Sequence, residues 1–216
     1  METLLLCEPK YFSINYQINP WMKLENNSIH EKALEQWNIF YNLLTNFCTV
    51  KLIEPQKDLP DMVFTANAGL PIKGENQLVL SKFKYQERVN EEVWFKKWFE
   101  EQGYTVSQPN SIFEGAGDAL YLNEHLITGY GFRSEKRPID QDSIDVKLID
   151  SRFYHLDTCF CPLNNGDFLI FANAFIGSDF ESIKKVGNHC ISVTEEEALN
   201  FACNSVLVDE IVILMP

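Results

Sequence analysis

The chain has 216 residues, 45% of them hydrophobic, which is enough to fill a core and excludes disorder as its ordinary state. Eighteen basic against thirty-one acidic residues give a net charge of -13, which repels nucleic acid and anionic membranes and favours encounter with small cations. Nucleic acid and membrane are therefore not expected partners, and a small cationic metabolite is. The acidic residues are scattered rather than blocked, so most of them read as a solvated surface.

The N-terminal METLLLCEPKYF has no basic leader and an apolar run of only four residues before Glu8, which fits neither a signal peptide nor a membrane span. A cytoplasmic location is expected. The six cysteines are then thiols, and with no CxxC pair among them most read as small buried hydrophobes.

Residues 2–8 read as a short buried strand, followed by KYFSINYQINPWM, an aromatic, Asn-rich loop closed by Pro20 that serves as a structural plug or a lid. Asn26, Asn27 and Ser28 offer a helix N-cap, and Ile29, Ala33, Leu34, Trp37, Phe40, Tyr41 and Leu44 recur at helical spacing to about Cys48. A strand follows over 50–53, ended by Glu54-Pro55.

From there a unit of strand, strand, helix, strand repeats. The first copy has strands over 61–66 and 77–83, a helix over 90–102 with Val93, Trp94, Trp98 and Phe99 inward, and a strand over 104–107. The second has strands over 119–122, 125–130 and 146–149, with at most a short helix in its link. The third has strands over 154–161, 167–172 and 190–193 and a helix over 179–186. The fourth begins with a short helix or turn over 195–202 and strands over 205–208 and 210–214, and its own helix and third strand are missing. The N-terminal strand, helix and strand resemble the trailing part of another copy. Radial repetition of such units makes a propeller-like α/β architecture whose unit starts converge on a central channel.

Those starts carry the chemistry. In FYHLDTCFCPL, an extended backbone would place His155, Asp157, Cys159 and Cys161 on one face and Tyr154, Leu156, Thr158 and Phe160 on the other. A metal held by the two thiols, His155 and Asp157 is not expected, because ligands two apart on one strand run in a row rather than converge. Taken singly, each candidate has a plainer reading: a structural histidine, a Gly-rich turn in EGAGD, a surface ion pair for Arg133, and a turn cap for Asn19 before Pro20.

Together, INPWM (18–22), DMVFTANAGL (61–70), FEGAGDAL (113–120), GYGFR (129–133), FYHLDTCFCPL (153–163) and EALNFACN (197–204) resemble the guanidine-modifying superfamily of arginine deiminases, amidinotransferases and dimethylarginine dimethylaminohydrolases. The resemblance implies a pentein-type α/β propeller and a hydrolase of C–N bonds in linear amidines, with no cofactor and no metal. In such a reaction a cysteine thiolate attacks the guanidinium carbon and water resolves the covalent intermediate. It also implies His155 as general acid and base and Glu114 as the carboxylate that binds the guanidinium and orients the histidine. Asp157, Asp61 and Asn67 would contact the substrate, Arg133 and Arg88 would pair with its α-carboxylate, and Asn19 and Asp118 complete the binding set. FTAN, where arginine deiminases carry FTRD, resembles the arginine-dihydrolase subgroup. The family's nucleophilic cysteine lies after a Gly-rich stretch near the C-terminus, which this chain ends before reaching, so a single domain over 1–216 lacking its C-terminal part is expected. Such a chain would be inactive alone, with an arginine-binding sensor or an amidinotransferase as the alternatives. Whether it forms a homo-oligomer is left open.

Overall fold

The computed structural model of the protein describes residues 3–25, 30–208 and 210–214. The expected N-cap at Asn26 to Ser28 lies outside them. Strand β1 (Thr3–Cys7) runs parallel to β2 (Thr49–Ile53) through helix α1 (His30–Leu44), with Leu4 opposite Val50 and Leu6 opposite Leu52. Ala33, Leu34, Trp37, Phe40 and Tyr41 are half-buried and Leu44 is buried, the one-sided stripe that their spacing predicts.

The repeat is present three times. Antiparallel β3 (Gly69–Pro71) and β4 (Gln77–Leu80) are followed by the short helix α2 (Gln86–Val89), helix α3 (Glu91–Glu101) and β5 (Thr105–Ser107), which returns parallel to β4. Strands β6 (Ala119–Leu122) and β7 (His125–Tyr130) form a hairpin turned at Asn123, whose φ is 54°, and β8 (Ser143–Lys147) lies parallel to β7. No helix lies between β7 and β8. Ile139 from that link instead packs into the cluster of Leu70, Phe113, Ala119 and Leu126 between the first two units. The third unit has β9 (Phe160–Pro162), β10 (Phe168–Ile170), helix α4 (Gly177–Lys184) and β11 (Cys190–Ser192) in the same antiparallel and then parallel order. Helix α5 (Glu195–Leu199) opens on a reciprocal cap between Thr194 and Glu197, and the hairpin of β12 (Val206–Val208) and β13 (Ile211–Ile213) follows.

The core passes from unit to unit. One cluster joins β1 and β2 to the first unit through Cys7, Ile53, Leu80, Phe95 and Phe99, and the largest joins the second and third units through Leu122, Ile127, Phe160, Phe168 and Ile183. The β12–β13 hairpin shares a fourth cluster with Leu44, Leu4 and Leu6 at the N-terminal strands. Among the described residues no helix is long and apolar enough to cross a membrane.

Three expectations are corrected. Residues 61–66 are not a strand but two 3-10 turns, Pro60–Val63 and Thr65–Ala68, the first entered at a proline that removes a donor a strand would need. Residues 154–161 are not one strand either. Leu156–Thr158 is a 3-10 turn, in which the Thr158 hydroxyl donates to the His155 carbonyl at 2.6 Å and the Leu156 amide donates to Asp118 at 3.0 Å. The turn breaks the alternation and sends Cys159 into the core with Leu156. In α3 the inward stripe is Glu91, Phe95 and Phe99, while Val93 and Trp94 are exposed, because Glu91 is drawn inside by a buried arginine and sets the phase of the helix.

Candidate active site

Three 3-10 turns stand at the starts of the first three units, Thr65–Ala68, Gly115–Gly117 and Leu156–Thr158, and the middle one packs against both of the others. They bring Asn67, Glu114, Asp118 and His155 together, although these residues lie in separate units. Glycine makes the approach feasible. Gly115 sits at φ 65°, and a Cβ on Gly117 would collide with Asn67 Nδ2 and lie 3.5 Å from His155 Nδ1.

His155 is buried between two carboxylates. Its Nδ1 lies 3.1 Å from Asp118 Oδ2 and its Nε2 3.3 Å from Glu114 Oε2, both bent away from good hydrogen-bond geometry, with the Tyr154 ring 5.0 Å off. Burial alone would lower its pKa, but the nearby charges of Asp118 and then Glu114 outweigh burial and Arg133, so the imidazole is held above its ordinary value. It is thus disposed to carry a proton.

Arg133 is in contact with protein groups at two of its nitrogens and at its ring-facing surfaces. Its Nη1 donates to Glu114 Oε2 at 2.8 Å and its Nη2 to the Ile18 carbonyl at 3.0 Å, while the guanidinium lies between the rings of Tyr85 and Tyr154, 4.8 and 4.7 Å from their centroids. The second Glu114 oxygen accepts from the Lys84 amide at 3.2 Å. Arg88 forms a separate buried knot. It donates to Glu91 from Nε at 3.0 Å and from Nη2 at 2.8 Å, to Asn67 Oδ1 from Nη1 at 2.9 Å, and to the Asp61 carbonyl at 3.2 Å. Burial would lower its pKa, but Glu91 raises it, and burial lifts Glu91 itself to about 7 despite the arginine.

Asp61 Oδ1 is buried without a hydrogen bond, the Tyr16 hydroxyl facing it without closing one of good geometry, and burial raises the carboxyl against the pull of Arg88. Asp157 sits in the His155 turn, and burial pushes its pKa up to about 7 against the lowering charge of His155. Asn19 stands apart from the cluster. Its Oδ1 accepts from the amides of Trp21 at 2.9 Å and Met22 at 3.1 Å, capping the turn after Pro20, while its neighbour Ile18 reaches Arg133. The loop around Pro20 is anchored by Trp21, whose indole N–H donates to the Arg152 carbonyl at 2.8 Å and whose ring meets Phe201.

All six cysteines are thiols. Burial pushes Cys161 to about 11, Cys203 to about 12 and Cys159 well above the usual thiol range, and the Cys159 Sγ faces the Leu156 carbonyl at 3.5 Å. Three residues of the cluster are not among the sequence candidates. Glu91 is signalled by its spacing of three from Arg88 on a helical stretch. Ser134 and Tyr85 carry no local signal and reach the site only through tertiary packing.

Repeated ββαβ units with a histidine and its carboxylates at the meeting of their turns define an α/β propeller of the pentein type. The eukaryotic N,N dimethylarginine dimethylhydrolase family model matches residues 8–212, and the chain belongs to this family. It is 46% identical to the bifunctional arginine dihydrolase/ornithine cyclodeaminase AgrE of Nostoc sp., over 97% of this chain and 32% of that protein. The N(G),N(G)-dimethylarginine dimethylaminohydrolase of Mycobacterium tuberculosis is 32% identical over 92% of this chain and 68% of its own length. The substrate-bound N-terminal domain of ArgZ, a cyanobacterial arginine dihydrolase, superposes with a TM-score of 0.91 at 44% identity, covering 97% of this chain and 82% of that one. The chain thus spans about a third of the length of the bifunctional relatives it matches.

Proposed function

We propose that the protein serves a hydrolase reaction on the guanidinium group of arginine or an arginine derivative, with His155 as acid and base and the carboxylates around it as the guanidinium site. The observation that carries this reading is the excess of buried negative charge. Five carboxyl groups, the buried Asp61, Glu91, Glu114 and Asp118 and the half-buried Asp157, face three basic groups: Arg88, paired with Glu91 and 4.0 Å from Asp61, Arg133 and His155. A cation with N–H groups on every edge would relieve that excess and supply a donor to Asp61 Oδ1.

In the proposed chemistry a thiolate attacks the guanidinium carbon to form a C–S bond, His155 donates its proton to the departing nitrogen as the C–N bond breaks, and the imidazole then takes a proton from the attacking water, whose oxygen bonds to the carbon as the C–S bond breaks and the thiolate leaves. Glu114 and Asp157 hold the guanidinium. Arg133 remains the α-carboxylate partner, since Glu114 and Ile18 take only part of its five N–H donors. Arg88 is reassigned: with four hydrogen bonds to protein acceptors it orients Asn67 and Asp61 rather than meeting substrate. The six cysteines are assigned to packing, the nucleophile to none of them.

The raised thiols also favour a second reading, an arginine-binding sensor without turnover. Calorimetric titration with arginine tests what both share: Asp61→Asn and Glu114→Gln should weaken binding, and neither heat nor thermal stabilisation at millimolar arginine would refute both. Release of ornithine, citrulline or ammonia separates hydrolysis from sensing, and amidino transfer to an added amine would point to an amidinotransferase instead.

A further inference from the structure

Two carboxylates flank His155, and a single hydroxyl joins the carboxylate of one to the main chain of the other. Ser134 Oγ donates to Asp118 Oδ2 at 2.7 Å and accepts from the Glu114 amide at 2.9 Å, and the Ser134 amide adds a second contact to the same Asp118 oxygen at 3.3 Å. That oxygen is the one 3.1 Å from His155 Nδ1, and the other, Oδ1, accepts from the Leu156 amide at 3.0 Å. Ser134, Glu114 and Asp118 are all buried, so each lost hydrogen bond would leave a desolvated group without replacement by solvent.

We propose that Ser134 is a positioning residue: by bridging Asp118 to the Glu114 main chain it fixes where both carboxylates meet the His155 ring, and by donating to Asp118 Oδ2 it draws charge away from the oxygen that faces Nδ1. Asp118 thereby changes role, from a substrate contact to the group that orients the imidazole. The charged and titratable groups facing His155 are Asp118 and Glu114 from the second unit, Arg133 from the link after β7, and Asp157 and Tyr154 from its own turn. Among these only Asp118 is hydrogen-bonded by the Ser134 hydroxyl. The inference deepens the proposed reaction, resting on it only for the use to which the His155 proton is put.

The loss of that hydroxyl has a signed consequence. Ser134→Ala removes the strongest donor to Asp118 Oδ2, concentrates its charge on the imidazolium, and moves the His155 titration upward. NMR titration of the His155 ring in this chain, assigned by its absence in His155→Gln, reads the shift without substrate or turnover. Ser134→Thr, which keeps the hydroxyl, should titrate as the parent. In an Asp118→Asn background, Ser134→Ala should move His155 no further, because the path through the carboxylate is gone. An unchanged titration in Ser134→Ala, an equal shift in Ser134→Thr, or a full shift in the Asp118→Asn background would each overturn the proposal. If Ser134→Ala does not fold, Ser134→Cys, a weaker donor, takes its place and must shift the titration in the same direction. Because arginine is absent from every arm, failure here leaves the guanidinium reading standing, and failure of arginine binding leaves this one standing.

Discussion

Removing Glu91 exposes how much of the fold depends on the knot around Arg88. The Arg88 and Glu91 side chains are 3% and 0% exposed, and two hydrogen bonds at 3.0 and 2.8 Å join them. Charge-assisted bonds contribute about 1.5 to 3 kcal/mol each, and breaking a buried pair by deleting one partner costs about 3 to 5 kcal/mol because the other charge stays desolvated. Glu91→Ala should therefore lower the unfolding free energy by about 3 to 5 kcal/mol in urea titration, with a fall in Tm of about 6 to 20 °C for a chain of this size. Arg88→Met with Glu91→Leu removes both charges and should restore most of that stability while still losing arginine binding, since Asn67 and Asp61 lose the guanidinium that orients them. A loss below about 1 kcal/mol in Glu91→Ala would mean that the pair is solvated in solution, the ordinary value for an exposed pair, and would refute the reasoning.

The folded-state pKa of Asp157, about 7, lies above the ordinary 3.8, so the group favours the fold most at low pH and that contribution is lost as pH rises through about 7. Asp157→Asn should remove this slope: the stability of the variant relative to the parent, followed by thermal melts, should climb between pH 4 and 7, and parallel profiles would exclude the burial that raises the carboxyl. Gly117→Ala places a methyl against Asn67 and close to His155, and should abolish the calorimetric response to arginine while the far-UV circular dichroism spectrum is kept; unchanged binding would show that the turns have room to spread. Thr194→Ala removes the hydroxyl that accepts from the Glu197 amide at 3.2 Å, and chemical denaturation should show a loss of about 1 kcal/mol, whereas no loss would mean that α5 is held by packing alone.

Much of this architecture is legible in the chain. The strands over 119–122 and 125–130 are read to the residue, since alternating apolar residues flank an Asn that accepts positive φ. The order of strand, strand, helix and strand in the first and third units, and a second unit with at most a short helix, are read as well, whereas the antiparallel hairpin and parallel return are known only from the pairing. What fails is local and has one cause. DMVFTAN and FYHLDTC have the apolar content of strands, but their polar side chains bond to nearby or facing main chain and coil the backbone into tight turns, which no periodicity reports. The phase of α3 is misread for a related reason, because a buried acidic residue counts as a surface position until its arginine is seen. The pairing of Asp118 with His155 follows only from tertiary packing, since 37 residues separate them in the chain.

The placement of one residue set on three separate turns also bears on how the protein reaches its native state. Asn67, Glu114 and His155 lie on turns that lead into three different sheets, each of which closes through nearby sequence, whereas their meeting needs contacts across about 40 to 50 residues at a time. The sheets can therefore form early and independently, but the geometry of the candidate site exists only after all three have docked. Opening of any single unit disperses it, so a ligand bound there would slow hydrogen exchange across all three sheets together and not merely in the turns it touches.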